Sequence, residues 1–326
     1  MHRPAPLQHA LFTQPAQTGN DPPQAAPANR LTQQTARTPT PSASPTSRLC
    51  VLGSGSGGNC TVISTPTHNL LIDTGFGPRT TADRLAQAGL TLHDTHAVLL
   101  THLDADHFRR SWPRALTDLG IPVFLHHWHV PDLLRLPHAD RLLAAGLVRP
   151  FFDHQPFQPI SETDVHPIRL QHDRQGTIGF RLHLPCGLRL AYATDLGHAP
   201  PALIQHFAGS DILCLEANYD HSMTMNSSRP SFVNRRNLSD SGHLSNDQAF
   251  DAVTAIRDAS AFNNPRHVVL LHRSQQCNHP TKLRRVFERD PSLLRRITLT
   301  DLRRRTRWIT LKPLRPLQRA QLRLTA

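Results

Sequence analysis

Residues 101–107 read Thr-His-Leu-Asp-Ala-Asp-His, a dense run of metal-ligand side chains placed directly after an apolar stretch. If 96–100 is a buried strand, residues two apart just beyond it project to the same side. His102 and Asp104 can then share one cation, and Asp106 and His107, on the turn that follows, can reach a second. Imidazole and carboxylate together suit divalent ions, and a pair of such ions supports hydrolysis. The plainer reading of this stretch is a polar loop in which Asp106 caps a helix. Further candidates sit at similar positions. Asp73 closes Leu70-Leu71-Ile72, where a carboxylate would orient the 101–107 turn through hydrogen bonds. His172 follows 165–170, Asp195 follows 190–194, and His272 follows 268–271. Each of these alone reads equally well as a strand-end turn residue. Their joint occurrence, in this order, is the signal.

The elements that must position them can be drawn from periodicity. Short apolar runs bounded by Gly, Pro and polar residues predict strands at 49–52, 60–64, 69–73, 96–100, 122–125, 165–170, 177–183, 188–193, 212–216 and 267–271. Helical spacing covers 79–88, 113–119, 128–145, 200–207, 246–258 and 281–287, with Ser245 as a cap. Residues 150–161 are irregular, and 220–241 lack periodicity, which predicts a long functional loop. Strands alternate with helices in both halves, and each half begins with meandering pairs. That pattern predicts an α/β chain of two sheets packed face to face, with helices outside. No internal repeat is visible.

Bulk properties bound the rest. Of the 326 residues, 1–48 are rich in Pro, Gln, Thr and Ser with few large apolar groups, which predicts a disordered tail. The domain is expected over 49–310, with a basic tail at 311–326. The net charge is +12, and Arg284, Arg285, Arg289, Arg295, Arg296, Arg303, Arg304, Arg305 and Arg307 crowd the later part. Such a surface attracts polyanions, nucleic acid first, although an Arg-rich face is often only solvated. The five cysteines are scattered and never spaced as C-x-x-C, which argues against a disulfide framework or a zinc ribbon and for a reducing compartment. No apolar run is long enough for a spanning helix, so a cytoplasmic protein without membrane contact is expected. The 53–59 stretch is glycine-rich but lacks G-K-[ST] and precedes a strand, so it reads as a hairpin bordering the site rather than a nucleotide loop.

The order of an Asp motif, an H-x-H-x-D-H-like motif, a later His, an Asp and a terminal His resembles the metallo-β-lactamase superfamily over about 49–287. Gly53-Ser54-Gly55-Ser56-Gly57-Gly58-Asn59, Ala193-Thr194-Asp195-Leu196-Gly197, Leu215-Glu216-Ala217-Asn218, Ser239 through Asn246 and His272 through Asn278 narrow it to the bacterial YycJ/WalJ-type branch. That resemblance implies a four-layer αββα sandwich of two mixed sheets and a 5′-to-3′ exonuclease acting on double-stranded DNA. It further implies two ions, zinc or manganese, with iron possible. His102, Asp104 and His172 would hold one, Asp106, His107 and His272 the other, and Asp195 would bridge them. A hydroxide shared by the ions would attack a phosphodiester in line, with His243 neutralising the phosphate or protonating the leaving oxygen. For His243 the alternative is a residue that only helps cap the helix after Ser245. Asn218, Asp220 and His221 would line the substrate path. Position 104 departs from the family pattern, which has His there. Aspartate is a harder ligand and adds negative charge, which would make a bound water less acidic. Tyr219 stands where some relatives carry His. Two other readings remain open: a hydrolase of small phosphodiesters, thioesters or lactams, and a DNA-binding regulator with a weakened metal site. Oligomeric state is not legible.

Overall fold

The computed structural model describes residues 46–310, apart from 174, 263 and 264, together with residue 312. The expected tails, all but a few residues of 1–48 and nearly all of 311–326, lie outside the described residues. Alternating side chains make each strand two-faced, and the chain answers with two seven-stranded sheets. The first holds β1 (Arg48–Gly53), β2 (Cys60–Ser64), β3 (Asn69–Ile72), β4 (Thr95–Leu99), β5 (Val123–His126) and β6 (Val148–Phe151). The second holds β7 (Phe157–Ile160), β8 (Thr163–Leu170), β9 (Thr177–His183), β10 (Arg189–Ala193), β11 (Ile212–Glu216), β12 (His267–Leu271) and β13 (Ile297–Leu299). The short β14 (Ile309–Thr310) returns to the first sheet and pairs with β1. In each sheet the early strands are antiparallel. From β3 to β6 and from β10 to β13 they run parallel, so their carboxyl ends share one rim.

Burial follows the alternation. Leu49, Val51, Ile63, Leu70 and Ile72 pack inward against Phe180, Leu182, Tyr192, Cys214 and Val269 of the second sheet. Their neighbours Cys50, Leu52, Val62 and Leu71 face outward, where α1 (Pro78–Gln87) contributes Leu85 and α2 (Trp112–Leu119) contributes Trp112 and Leu116. On the far side Leu213 and Leu215 meet α5 (Pro201–Phe207), α8 (Asn246–Asp258) and α9 (Pro280–Phe287) through Leu203, Val253, Ile256, Leu283 and Phe287. The result is the expected four-layer αββα sandwich. Ser245 caps α8 as expected: its hydroxyl accepts from Gln248 N at 3.1 Å, and Gln248 Oε1 accepts from Ser245 N at 2.8 Å.

Three expectations need correction. The irregular 150–161 stretch contains β7 and the end of β6. Pro150, Pro156 and Pro159 hide them, because proline cannot donate within a sheet; both strands lie at sheet edges, where that loss is tolerated. The single helix at 128–145 is broken into α3 (Val130–Leu133) and α4 (Ala139–Ala144), separated by Pro137 and by His138 at φ 65°. The 220–241 loop folds into α6 (His221–Met225) and α7 (Ser231–Asn237), each too short to show a helical period in sequence.

Beyond the core, His126 ends β5 fully enclosed, with Nε2 3.4 Å from Asp153 Oδ1. Burial pushes this imidazole down to about 4, with Asp153 opposing the shift only in part. Its folded pKa lies below the unfolded one, so between about pH 6.5 and 4 the unfolded chain takes up the extra proton. Stability is therefore expected to fall as pH drops through that window. Urea midpoints measured across it in chelator should fall less steeply for His126→Phe than for the parent chain.

Candidate metal centre

The shared strand rim gathers the candidates. Asp73 follows β3, the 101–107 turn follows β4, His172 follows β8, and Asp195 follows β10. Glu216 ends β11, and His272 follows β12. The parallel register sets Leu215 beside both Ala193 and Leu270, and Glu216 beside Leu271, so three neighbouring strands deliver Asp195, Glu216 and His272 to one place. Asp73, Asp195 and His272 take left-handed backbone, at φ 59°, 56° and 52°. That turn swings each side chain out of its strand plane at once. Asp106 caps no helix; His107 N and Phe108 N instead close a tight turn on Asp104 O at 2.7 and 2.8 Å.

Six of the seven expected ligands form two clusters there. Ligand atoms of His102, His172 and Asp195 lie within 4.8 Å of one another, as do those of Asp106, His107 and His272. Asp195 is a member of the first group and also reaches the second: Oδ2 is 2.8 Å from His107 Nε2, and Oδ1 is 3.3 Å from His272 Nδ1. Asp106 Oδ2 lies 3.1 Å from His272 Nε2. Asp104 stands further out, half exposed, with Oδ2 3.8 Å from His102 Nε2. Its carboxylate groups with His172 and Asp173.

A surrounding shell holds the ring planes. Asp73 Oδ2 is 2.8 Å from His107 Nδ1, and the Thr101 hydroxyl and amide both donate to Asp73. Thr101 Oγ1 lies 2.9 Å from His102 Nδ1, and Gly242 O lies 3.1 Å from His172 Nδ1. Outer nitrogens tied in this way leave the opposite nitrogens facing inward, the usual support for metal-binding imidazoles. His102 Nε2 is buried and has no hydrogen-bond partner, which a cation would supply. The donor set of imidazoles and carboxylates without thiolate therefore fits divalent ions.

Electrostatics agree with that fit. Burial works to raise the Asp195 carboxyl, but His272 and His107 outweigh it and hold it well below the usual range. Asp106 behaves likewise, with His107 and His272 overcoming burial. Burial opposes charge on His272, yet Asp195, Asp106 and Glu216 raise it to about 10, and His107 is raised well above its ordinary value by Asp195 and Asp73. His102 is pushed down by burial and by His107. His107 and His272 and the carboxylates thus favour each other's charged forms, and a cation would compete with protons for the same ligand atoms.

Two contributors, Glu216 and Asn59, carry no expected role in the site from sequence alone. Glu216 is fully buried, its Oε1 2.7 Å from His243 Nδ1 and 3.0 Å from His272 Nδ1, and it accepts from Leu196 N. It follows an apolar run just as Asp73 does, and that was the available signal. Asn59 lies 3.0 Å from His107 Nε2 and donates its amide to Asp106 O. His243 pairs with Glu216 rather than capping α8. Asn218 is buried and holds His272 O at 2.9 Å. Asp220 caps α6 by accepting from Met223 N at 2.9 Å, and His221 is exposed. Asn218 and His243 line the cavity of about 430 Å³ above the cluster; Asp220 and His221 do not.

Residues 68–272, more than half of the chain, match the Beta-lactamase superfamily domain. The chain belongs to that superfamily. The chain is similar to exodeoxyribonuclease YycJ of Bacillus anthracis, 28% identical over 233 residues, which span 70% of this chain and 83% of that one. Exodeoxyribonuclease WalJ of Streptococcus pneumoniae is 23% identical over 231 residues, 71% of this chain and 83% of its own. The metallo-β-lactamase fold protein YhfI of Bacillus subtilis superposes with a TM-score of 0.60 at 13% identity, covering 82% of this chain and all of that one. The chain is thus a hydrolase of the metallo-β-lactamase fold, a fold that implies use of divalent metal. Among the described residues, no helix is long and apolar enough to cross a membrane.

Proposed function

We propose that this protein is a dinuclear metal-dependent phosphodiesterase that degrades DNA from the 5′ end. The observation that carries the reading is the place of Asp195, whose carboxylate reaches both ligand groups at once. His102, Asp104 and His172 would hold the first ion, and Asp106, His107 and His272 the second. When bound, paired divalent ions, zinc or manganese, activate water and offset charge on phosphate oxygens. The chain's own part is to orient and to move protons. Asp73 and Thr101 hold the 101–107 turn, and Glu216 fixes His243 and His272 through one buried oxygen. With Nδ1 of His243 committed to Glu216, Nε2 is the nitrogen able to meet a phosphate or protonate a leaving oxygen. The named activity of the YycJ and WalJ relatives supports DNA as substrate. Residues 49–310 would form the working domain, in the cytoplasm, where the five cysteines, all free and buried, stay reduced.

The test is degradation of end-labelled linear duplex DNA with added manganese or zinc. Stepwise loss from the 5′ end that stops on chelation is expected. Turnover of small chromogenic diesters alone, or salt-sensitive binding without cutting, would overturn the reading.

A further inference from the structure

The cavity above the cluster has an acidic floor but a basic lip. Arg229, Val233 and Arg236 line it together with Asp104, Asp106 and Asp195. Val233 and Arg236, three apart, share one face of α7, and Arg229 lies just before its N-cap Pro230. Arg236 is fixed: Nε donates to Asp173 Oδ1 at 2.8 Å, and a second nitrogen donates to Asp173 Oδ2. Asp173 adjoins the ligand His172, so the guanidinium is tied to the ligand set through one carboxylate. Arg229 donates Nε to Gln276 Oε1 at 2.7 Å. Each guanidinium carries five N–H donors, and these bonds use two on Arg236 and one on Arg229. Several donors on each remain for an incoming anion.

A second observation lies between them. Phe232 is 66% exposed, the most exposed of the large apolar side chains among the described residues. It lies on α7 four residues before Arg236, one turn away along the helix, and next to the cavity-lining Val233. An exposed aromatic ring on the same short segment as two cavity-lining guanidiniums matches one class of ligand well. Single-stranded nucleic acid pairs its phosphates with arginine and stacks its bases on aromatic faces. Small phosphodiesters or lactams would use the cations but have no need of the ring.

We infer that the 229–236 segment is the strand-binding lip of the site, with Arg229 and Arg236 holding backbone phosphates and Phe232 stacking a base. The inference rests on the phosphodiesterase reading and narrows it: the substrate enters as a locally single-stranded nucleic acid. Arg236 thereby acts on the phosphate, and Asp173 is its positioning residue.

The test is fluorescence anisotropy of the full chain with a short labelled oligothymidylate, in chelator so that nothing is cut, over a salt series. The double variant Arg229→Ala/Arg236→Ala is expected to bind at least about tenfold more weakly and to lose about 1.4 from the slope of log K against log salt, the share of two phosphates on a single strand. Phe232→Ala should weaken binding about tenfold with the slope unchanged, since stacking releases no counterion. Arg236→Lys should keep the slope, which separates lost charge from lost folding. Unchanged affinity and slope in all variants would overturn the inference, as would failure of the parent chain to bind. Parent cleavage of DNA with indifferent variants leaves the nuclease reading standing without this lip. Binding with the expected signatures but no cleavage under any metal leaves the lip standing and removes the nuclease reading.

Discussion

Replacing Asp106 with alanine is expected to lower metal-dependent turnover by about three powers of ten or more, the scale seen when one member of a cooperating catalytic set is removed. Three features of this residue account for the size. Its Oδ2 is the contact of His272 Nε2 at 3.1 Å, so its loss frees the ring that closes the cluster from β12. Its carboxylate stays ionised against the pull of burial because His107 and His272 oppose that pull, so the variant also removes a charge that both rings use. Its main-chain oxygen accepts from Asn59 N at 2.8 Å and is untouched by the change, so the turn should persist. The measurement is turnover together with metal content of the purified variant. Near-parent turnover at near-parent metal content would remove Asp106 from the mechanism.

Gly75→Ala should do its damage through the backbone. A Cβ at this position would lie 1.7 Å from Asp106 O, 2.4 Å from Asp106 C and 2.6 Å from Asn59 N. All three are main-chain atoms, so no side chain can rotate away. The segments involved are also pinned together, by Gly75 N to Asn59 O at 2.8 Å and Asn59 N to Asp106 O at 2.8 Å. Relief demands that the 101–107 turn part from the strand end that orients it. We expect a loss of about 3 kcal/mol or more in stability, at the upper end for overpacking, and loss of metal binding in whatever folds. Denaturant midpoints compared with Gly77→Ala, where a Cβ meets only Ser111 Oγ at 3.9 Å and the backbone is likewise not left-handed, separate this clash from the ordinary cost of replacing a glycine. Equal shifts for the two variants would show that the close approach at Gly75 is not a constraint.

Much of the candidate cluster was legible in the sequence because several of its residues follow an apolar run that reads as a buried strand. Asp73, His102, Asp195 and His272 announce themselves in that way. What the run could not disclose is which neighbours the strand would acquire. Asn59 meets His107 across 48 positions, and Arg236 meets Asp173 across 63, and nothing in local spacing marks either pair. Glu216 was open to the same reasoning as Asp73, yet as the last residue of a five-residue buried strand it looked like a terminus rather than a participant. Asp104 shows the opposite limit. Side-chain alternation places it beside His102, but the tight turn on its carbonyl leaves the carboxylate half exposed. Prolines concealed the edge strands because the usual rule, that proline excludes a strand, fails where one flank has no neighbour.

The left-handed strand ends at Asp73, Asp195 and His272 carry a consequence for inheritance. Asp, Asn and His are, after glycine, the residue types that tolerate this backbone region best. The amino acids that chemistry wants at these corners are therefore also ones that the local geometry accepts, and so are some of their inert substitutes. Asparagine at 73 or 195 would satisfy the corner while withdrawing the charge. As far as the main chain is concerned, descendants of this protein can fall silent as enzymes and keep their shape, so a scaffold of this kind is free to outlive its reaction.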